Sequence, residues 1–171
     1  MNDHELIINP DPNGKRIIAV TGHRPGKLGG YNYVTRSRLE SFATGILAER
    51  KPDLVIAGMA RGWDQAVALA CRTLAIPYWA AIPVRGQEGM WPLQAQDFYR
   101  ELLHDAVGQT IVSEGAYAAW KMTKRNEWMF DRCVTGLALW DGSAGGTGHA
   151  VGYAMKISKP VENVWAKWER F

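Results

Sequence analysis

Three glycine-bearing segments hold the residues best suited to chemistry. The first is Thr21-Gly22-His23-Arg24-Pro25, followed by Gly26-Lys27-Leu28-Gly29-Gly30. Glycine lets backbone approach a ligand closely, the Arg24 guanidinium offers a fork of donors to a phosphate, and His23 can donate a hydrogen bond. The alternative is a surface turn with Arg24 paired to a structural carboxylate. The second segment, Gly58-Met59-Ala60-Arg61-Gly62-Trp63-Asp64, leads into the apolar stretch Ala66-Val67-Ala68-Leu69-Ala70. Small residues at a helix start leave backbone N–H groups and the helix dipole facing an anion, and Arg61 adds charge. Asp64 is either a site carboxylate or a residue that caps that first turn. The third segment, Trp140-Asp141-Gly142-Ser143-Ala144-Gly145-Gly146-Thr147-Gly148-His149, gives the strongest local signal. A glycine-rich turn with a hydroxyl, opening a helix, is a phosphate cradle.

These segments need elements to position them, and short apolar runs supply them. Strands are expected at residues 17–20, 54–57, 78–82, 110–112 and 137–140, with an edge strand at 161–164 after Pro160. The five longer-range runs are nearly all apolar, as strands are when helices cover both sheet faces. Helices are expected at 35–50, 63–74, 95–106, 118–133 and 149–157. The fold class is therefore α/β, a Rossmann-like, doubly wound, mainly parallel sheet with helices on both faces. In such sheets ligands sit beyond the carboxyl ends of the strands, where strand order reverses. All three glycine segments follow expected strands, so they should converge on one crevice. Residues 1–15 read as an arm, and 16–171 as the folded α/β domain.

Within the helix expected at 118–133, Arg125, Met129 and Arg132 have the spacing to share a face, although a charged helix face is ordinarily solvated. Eight tryptophans are present. Trp79, Trp128 and Trp140 fall on elements where core packing is the default, and Trp165 and Trp168 suit packing of a short terminal segment. Trp63 and Trp91 sit in or beside loops. The stretch from Arg85 to Pro92 could fold over the crevice, so that Trp91 stacks on a base; a staple for the loop or a dimer contact is the alternative.

Composition narrows the partners. The chain has 171 residues, 47% hydrophobic and 22% charged, which suits one globular domain and excludes disorder over most of its length. The net charge of +3 permits an anionic ligand but falls short of the basic footprint of a dedicated nucleic-acid binder. Cys71 and Cys133 show neither a disulfide framework nor zinc spacing, and the four histidines show no ligand pattern. No metal and no cofactor are expected. No apolar run is long enough to span a membrane, so a cytoplasmic setting is expected and no membrane partner.

The segment Gly58-Met59-Ala60-Arg61-Gly62-Trp63-Asp64 resembles the G-x-A-R-G-x-D motif of the DprA/Smf proteins. Arg125-Asn126, then Asp141-Gly142 and Gly145-Gly146-Thr147, resemble their later motifs. With Thr21-Gly22-His23-Arg24-Pro25 the pattern looks like the YpsA-like branch of the SLOG superfamily, which joins DprA/Smf with the Lonely Guy (LOG) proteins. The resemblance runs from about Arg16 to Val164. It implies a Rossmann-like fold that binds a nucleotide or nucleotide-derived ligand, often as a homodimer. LOG enzymes are phosphoribohydrolases that use an arginine in R-K-x-x-M and a glutamate in P-G-G-x-G-T-x-x-E. Arg125 and Met129 keep the first spacing, but Ala150 stands where the glutamate belongs.

The expected function is binding of such a ligand, as a sensor, with phosphate held by Gly58, Gly62, Gly145, Gly146 and Thr147. Gly22, His23, Arg24, Arg61, Trp91, Arg125, Asn126 and Asp141 complete the expected binding set. One alternative is a nucleoside 5'-monophosphate N-glycosidase with Asp64, Arg125 and Asp141 as catalytic residues, a relocated carboxylate replacing the LOG glutamate; His23 or His149 could then act as acid or base. The other alternative, less favoured, is DprA-like binding of single-stranded DNA.

Overall fold

The computed structural model describes residues 15–171, so the expected arm lies, but for Lys15, outside the described residues. Six strands form one all-parallel, Rossmann-like sheet: β1 (Ile17–Gly22), β2 (Leu54–Ala57), β3 (Tyr78–Ile82), β4 (Gly108–Ile111), β5 (Thr135–Leu139) and β6 (Val161–Asn163). Their order is β4-β3-β2-β1-β5-β6. The chain winds outward from β1 to β4, then crosses back to add β5 on the other side of β1. The switch point therefore lies between β1 and β5, whose ends are level, with Gly22 beside Leu139.

The helices are α1 (Tyr33–Arg50), α2 (Trp63–Leu74), α3 (Leu93–Asp105), α4 (Ala119–Asp131), α5 (Gly146–Lys156) and α6 (Trp165–Glu169). Side chains alternate across a strand, so β1, β2 and β3 each serve two cores. On one face Val20, Val55, Ile82 and Leu137 pack with Leu39 and Phe42 of α1, Val67 of α2, Leu102 of α3 and Trp168 of α6. On the other, Ile17, Ala19, Ile56 and Ala81 pack with Met129 and Phe130 of α4 and Ala150 and Ala154 of α5. Burial on both faces explains why these strands read as unbroken apolar runs. No helix of the described residues is long and apolar enough to cross a membrane.

The expected elements form, with shifted ends. β4 begins two residues before the apolar run, at Gly108, because it is an edge strand whose polar start is only partly buried. A Cβ at Gly108 would collide with the Trp79 ring, so the glycine makes room for that core indole. α5 begins at Gly146, three residues before its expected start, since glycine's poor helix propensity hides the first turn. α1 starts after Asn32, whose side chain accepts the Thr35 N–H at 2.9 Å, an N-cap.

Candidate functional site

At the switch point the loops after β1, β2 and β5 and the first turns of α4 enclose a cleft of about 620 Å³. The β1 loop is fixed from both sides: the His23 N–H donates to Leu139 O at 3.1 Å, and the Trp63 N–H donates to His23 O at 3.2 Å. Gly22 belongs to this fixation, because a Cβ there would overlap the Trp63 side chain. Opposite, Gly142 (φ 87°) and Gly145 (φ 146°) turn the β5 loop into α5. Around Gly145 and Gly146 the space where a side chain would stand is empty, so the amide-rich start of α5 is open to the cleft beside the buried Thr147.

The floor of the cleft is polar and buried. Arg125 is 4% exposed. Its Nη1 donates to Gly58 O at 2.6 Å and to Ala81 O at 3.3 Å, the carbonyl ends of β2 and β3, and its Nε donates to Asn126 Oδ1 at 2.9 Å. Burial lowers the Arg125 pKa from its ordinary value, and Asp64 opposes that shift. Asp64, 6% exposed, accepts the Ala60 N–H at Oδ2 over 3.3 Å, while Oδ1 has no hydrogen-bond partner among the described residues. Desolvation pushes its carboxyl up to about 6, against the pull of Arg125, the Ala60 amide and Arg24. Gly58 makes this floor sterically feasible: a Cβ there would overlap the Arg125 guanidinium and come within 2.9 Å of Asp64 Oδ2. Met59, buried at φ 63°, turns the backbone between them, a strained conformation for a residue with a side chain.

At the rim, Asp141 joins the β1 and β5 loops. Its Oδ1 lies 2.7 Å from His23 Nε2 and accepts from the Ser143 N–H at 2.9 Å and the Ser143 hydroxyl at 2.5 Å. Lys27 bonds Ser143 and lies 3.7 Å from Asp141 Oδ2. The Ser143 hydroxyl and amide, then His23, hold the Asp141 carboxyl well below the usual range. His23 Nε2 also lies 3.1 Å from the Asp141 backbone N–H, so the ring nitrogen meets both the carboxylate and the amide of Asp141. His23 is also buried edge-on against Trp165, 5.8 Å between ring centres. Because Asp141 is stabilised as the anion, its contribution to stability is present above pH of about 4 and is lost as the pH falls below that. Asp141→Asn should accordingly melt at a lower temperature near pH 7, and the gap to the unaltered chain should narrow in acid. A gap that stays constant from pH 7 to pH 3 would refute the ionic role.

Of the expected residues, Gly22, His23, Arg24, Asp64, Arg125, Asn126, Gly145, Gly146 and Thr147 line this cleft. Five do not. Gly58 lies behind Arg125. Asp141 stands outside the lining, engaged by His23 and Ser143. Arg61 turns away, its guanidinium 4.3 Å above the Tyr31 ring, and with Gly62 it borders a separate groove between α1, α2 and α3. Trp91 packs edge-on against Tyr99 at 5.3 Å, which keeps it off the cleft. Trp63, expected beside a loop, is fully buried against Phe42 as the first residue of α2. The face of Arg125 and Met129 is buried rather than solvated, and Arg132 departs from it to stack on Trp128 at 4.2 Å. Ala150, where the LOG pattern has its glutamate, packs into the core beside Met129 and Phe130 and does not reach the cleft.

Tyr117, Met122 and Thr123 also line the cleft and were missed by the sequence reading. The helical spacing of Met122 and Thr123 from Arg125 and Asn126 was their available signal; Tyr117, outside the helix, had none. Among the described residues no three His, Cys, Asp or Glu side chains gather as a metal site requires.

No family model matches the chain. It is 31% identical over 117 residues to the "Uncharacterized SPbeta prophage-derived protein YoqJ" of Bacillus subtilis (strain 168), an alignment that spans 59% of this chain and 68% of that protein. Among solved structures it is similar to DNA processing protein A (DprA) from Helicobacter pylori, described for its single-stranded DNA binding mode, with a TM-score of 0.63 and 15% identity over 92% of this chain. DprA from Streptococcus pneumoniae gives a TM-score of 0.61 and 16% identity over 86% of this chain. The chain spans 66% of the Helicobacter protein and 49% of the Streptococcus one. At such identities the likeness is one of fold.

Proposed function

We propose, for a chain that belongs to the family of the SPbeta prophage-derived protein YoqJ of Bacillus subtilis, that the cleft between the ends of β1 and β5 binds a nucleotide or nucleotide-derived ligand. One observation carries the reading: the open glycine start of α5 and the buried Asp64–Arg125 floor face the same cavity. The first supplies unpaired N–H groups and a positive dipole end for phosphate. The second supplies a carboxylate oxygen awaiting a donor. A cleft of about 620 Å³ falls within the usual range for small-molecule sites. The likeness in fold to DprA, and the SLOG resemblance in sequence, support a nucleotide-related ligand, with the YpsA-like branch as the finer assignment. A homodimer remains part of the proposal by the same resemblance.

Asp64 favours a second reading, the N-glycosidase. Hydrolysis of a nucleoside monophosphate adds one water, breaks the bond between C1' and the base, and releases base and sugar phosphate. The oxocarbenium-like centre needs a nearby carboxylate. Asp64 is on the cleft floor to provide one, whereas Asp141 is engaged at the rim and Ala150 is in the core.

A proton NMR time course with nucleoside monophosphates, NAD and cyclic nucleotides tests both readings. Saturation transfer to a nucleotide without new base signals is the expected result. Growth of free-base and sugar-phosphate signals, abolished by Asp64→Asn, would establish the second reading. Absence of transfer to every nucleotide would overturn the first. Single-stranded DNA binding that falls steeply with salt, with no nucleotide binding, would point instead to the DprA-like role.

A further inference from the structure

Asp64 is built to meet a hydrogen-bond donor that the described residues do not provide. It is only 6% exposed, lines the cleft, and leaves Oδ1 unpartnered among the described residues. The neighbouring guanidinium does not occupy that oxygen: Arg125 directs its bonds to Gly58 O, Ala81 O and Asn126 Oδ1. A buried carboxylate oxygen without a donor is unfavourable, so a ligand that supplies one gains selectively over a ligand that cannot. A phosphate cannot supply it, being an acceptor of like charge. Asp64 therefore turns phosphate away from the floor and asks for a hydroxyl or N–H.

Position in the sheet narrows the choice. The open start of α5 follows β5, and Asp64 follows β2, with β1 between them. Two strand spacings separate these points, roughly 10 Å. With phosphate at α5, the group that comes next along a nucleotide is the ribose, and a base lies one ring further on. At the mouth of the cleft stand the exposed Tyr31 and Tyr117, with Met122, surfaces for the flat face of a base. This order places the sugar over the floor and the base at the rim.

We infer that Asp64 accepts a hydrogen bond from a hydroxyl of the ribose 2',3'-diol, so that the cleft selects a free ribonucleotide over DNA. The inference rests on the nucleotide reading above and adds the class of nucleotide. An internal DNA residue offers neither hydroxyl: the 2' position lacks it, and the 3' oxygen is esterified. The 2'-hydroxyl is the group by which a protein distinguishes the two nucleic acids at a single site. A carboxylate after the second strand that takes ribose hydroxyls also has a physical parallel in dinucleotide-binding α/β sheets, where the same end of the sheet is used.

The test compares three sets of nucleoside 5'-monophosphates, ribo, 2'-deoxy and 3'-deoxy, each with the same four bases, by saturation-transfer titration on the unaltered protein. Removal of the recognised hydroxyl should weaken binding by at least about tenfold in one of the deoxy sets, because a site built around a ligand hydroxyl is left with an unpaired buried group. Asp64→Leu, checked for folding by circular dichroism, should shrink that difference towards none. The comparison among ligands needs no variant, so it stands even if Asp64→Leu does not fold. Equal affinity across the three sets would overturn the inference and leave nucleotide binding intact. Failure of every nucleotide to bind would overturn both. Tighter binding of a single-stranded deoxy-oligonucleotide than of any ribonucleotide would overturn the inference as well.

Discussion

Arg125→Ala should destabilise the fold by about 3–5 kcal/mol near neutral pH, because it deletes buried hydrogen bonds from a charged donor, each worth about 1.5–3 kcal/mol. For a chain of this size that lowers the melting temperature by on the order of 10 °C. Two losses combine. The carbonyls of Gly58 and Ala81, at the ends of β2 and β3, lose their guanidinium donor. Asp64 also loses the positive charge that most opposes its desolvation. The second loss depends on the charge of Asp64, so the defect should be smaller at pH 5, where the carboxyl is largely protonated, than at pH 8. Combining Arg125→Ala with Asp64→Asn should recover part of the stability at pH 8 and little at pH 5. Thermal melts of the single and double variants at the two pH values decide the matter. An equal loss at both would show that the two side chains are not coupled and that Arg125 acts only through its carbonyl partners. Arg125→Lys should remain defective, because one ammonium cannot reproduce the planar set of donors that reaches two strands and Asn126.

Asp64→Asn should have the opposite sign. The folded protein raises this carboxyl from its ordinary value of 3.8 to about 6, so between those values the folded state holds more protons than the unfolded chain. Stability is full below about pH 4, declines as the pH rises through that window, and is level above it. The decline is worth about 3 kcal/mol, the free energy that separates a carboxyl titrating at 3.8 from one titrating at about 6. An asparagine cannot ionise and removes the decline, less the cost of any amide donor it leaves unpaired. Chemical denaturation from pH 4 to pH 8 should therefore show the variant gaining on the unaltered chain as pH rises, while nucleotide binding weakens. A residue that raises stability when removed and lowers binding is the mark of a site held against the interests of the fold. If the two stability curves run parallel across the window, the carboxyl is not the strained group described above.

Local sequence determined a large part of this. Short unbroken apolar runs such as residues 54–57 and 78–82 read as strands covered on both faces and form them, and α2 forms at its expected bounds, Trp63–Leu74. A parallel sheet then follows, with the glycine segments at its carboxyl ends, because right-handed crossovers leave few other arrangements. Elements whose ends carry glycine were less legible, as at Gly146 and Gly108, since the residue that makes room for a turn or a neighbouring ring has little propensity of its own.

Only the tertiary structure decided which of these loops meet and which side chains reach the cleft. Placement of β5 beside β1 brings the His23 and Gly145 loops together across a sequence distance that no local pattern encodes. Arg61 and Arg125 are both arginines in matched motifs, yet one lies over Tyr31 and the other is drawn beneath the strand ends by the carbonyls of Gly58 and Ala81. Likewise Trp63 and Trp91 each look like loop indoles in sequence, and packing against Phe42 and Tyr99 takes them from the ligand. The sequence specifies conformation through short-range sterics and hydrophobic period. The direction and burial of a long polar or aromatic side chain depend on neighbours far along the chain, so sequence left Asp64 as either a site carboxylate or a helix cap, and its buried, unpaired oxygen became visible only in the fold.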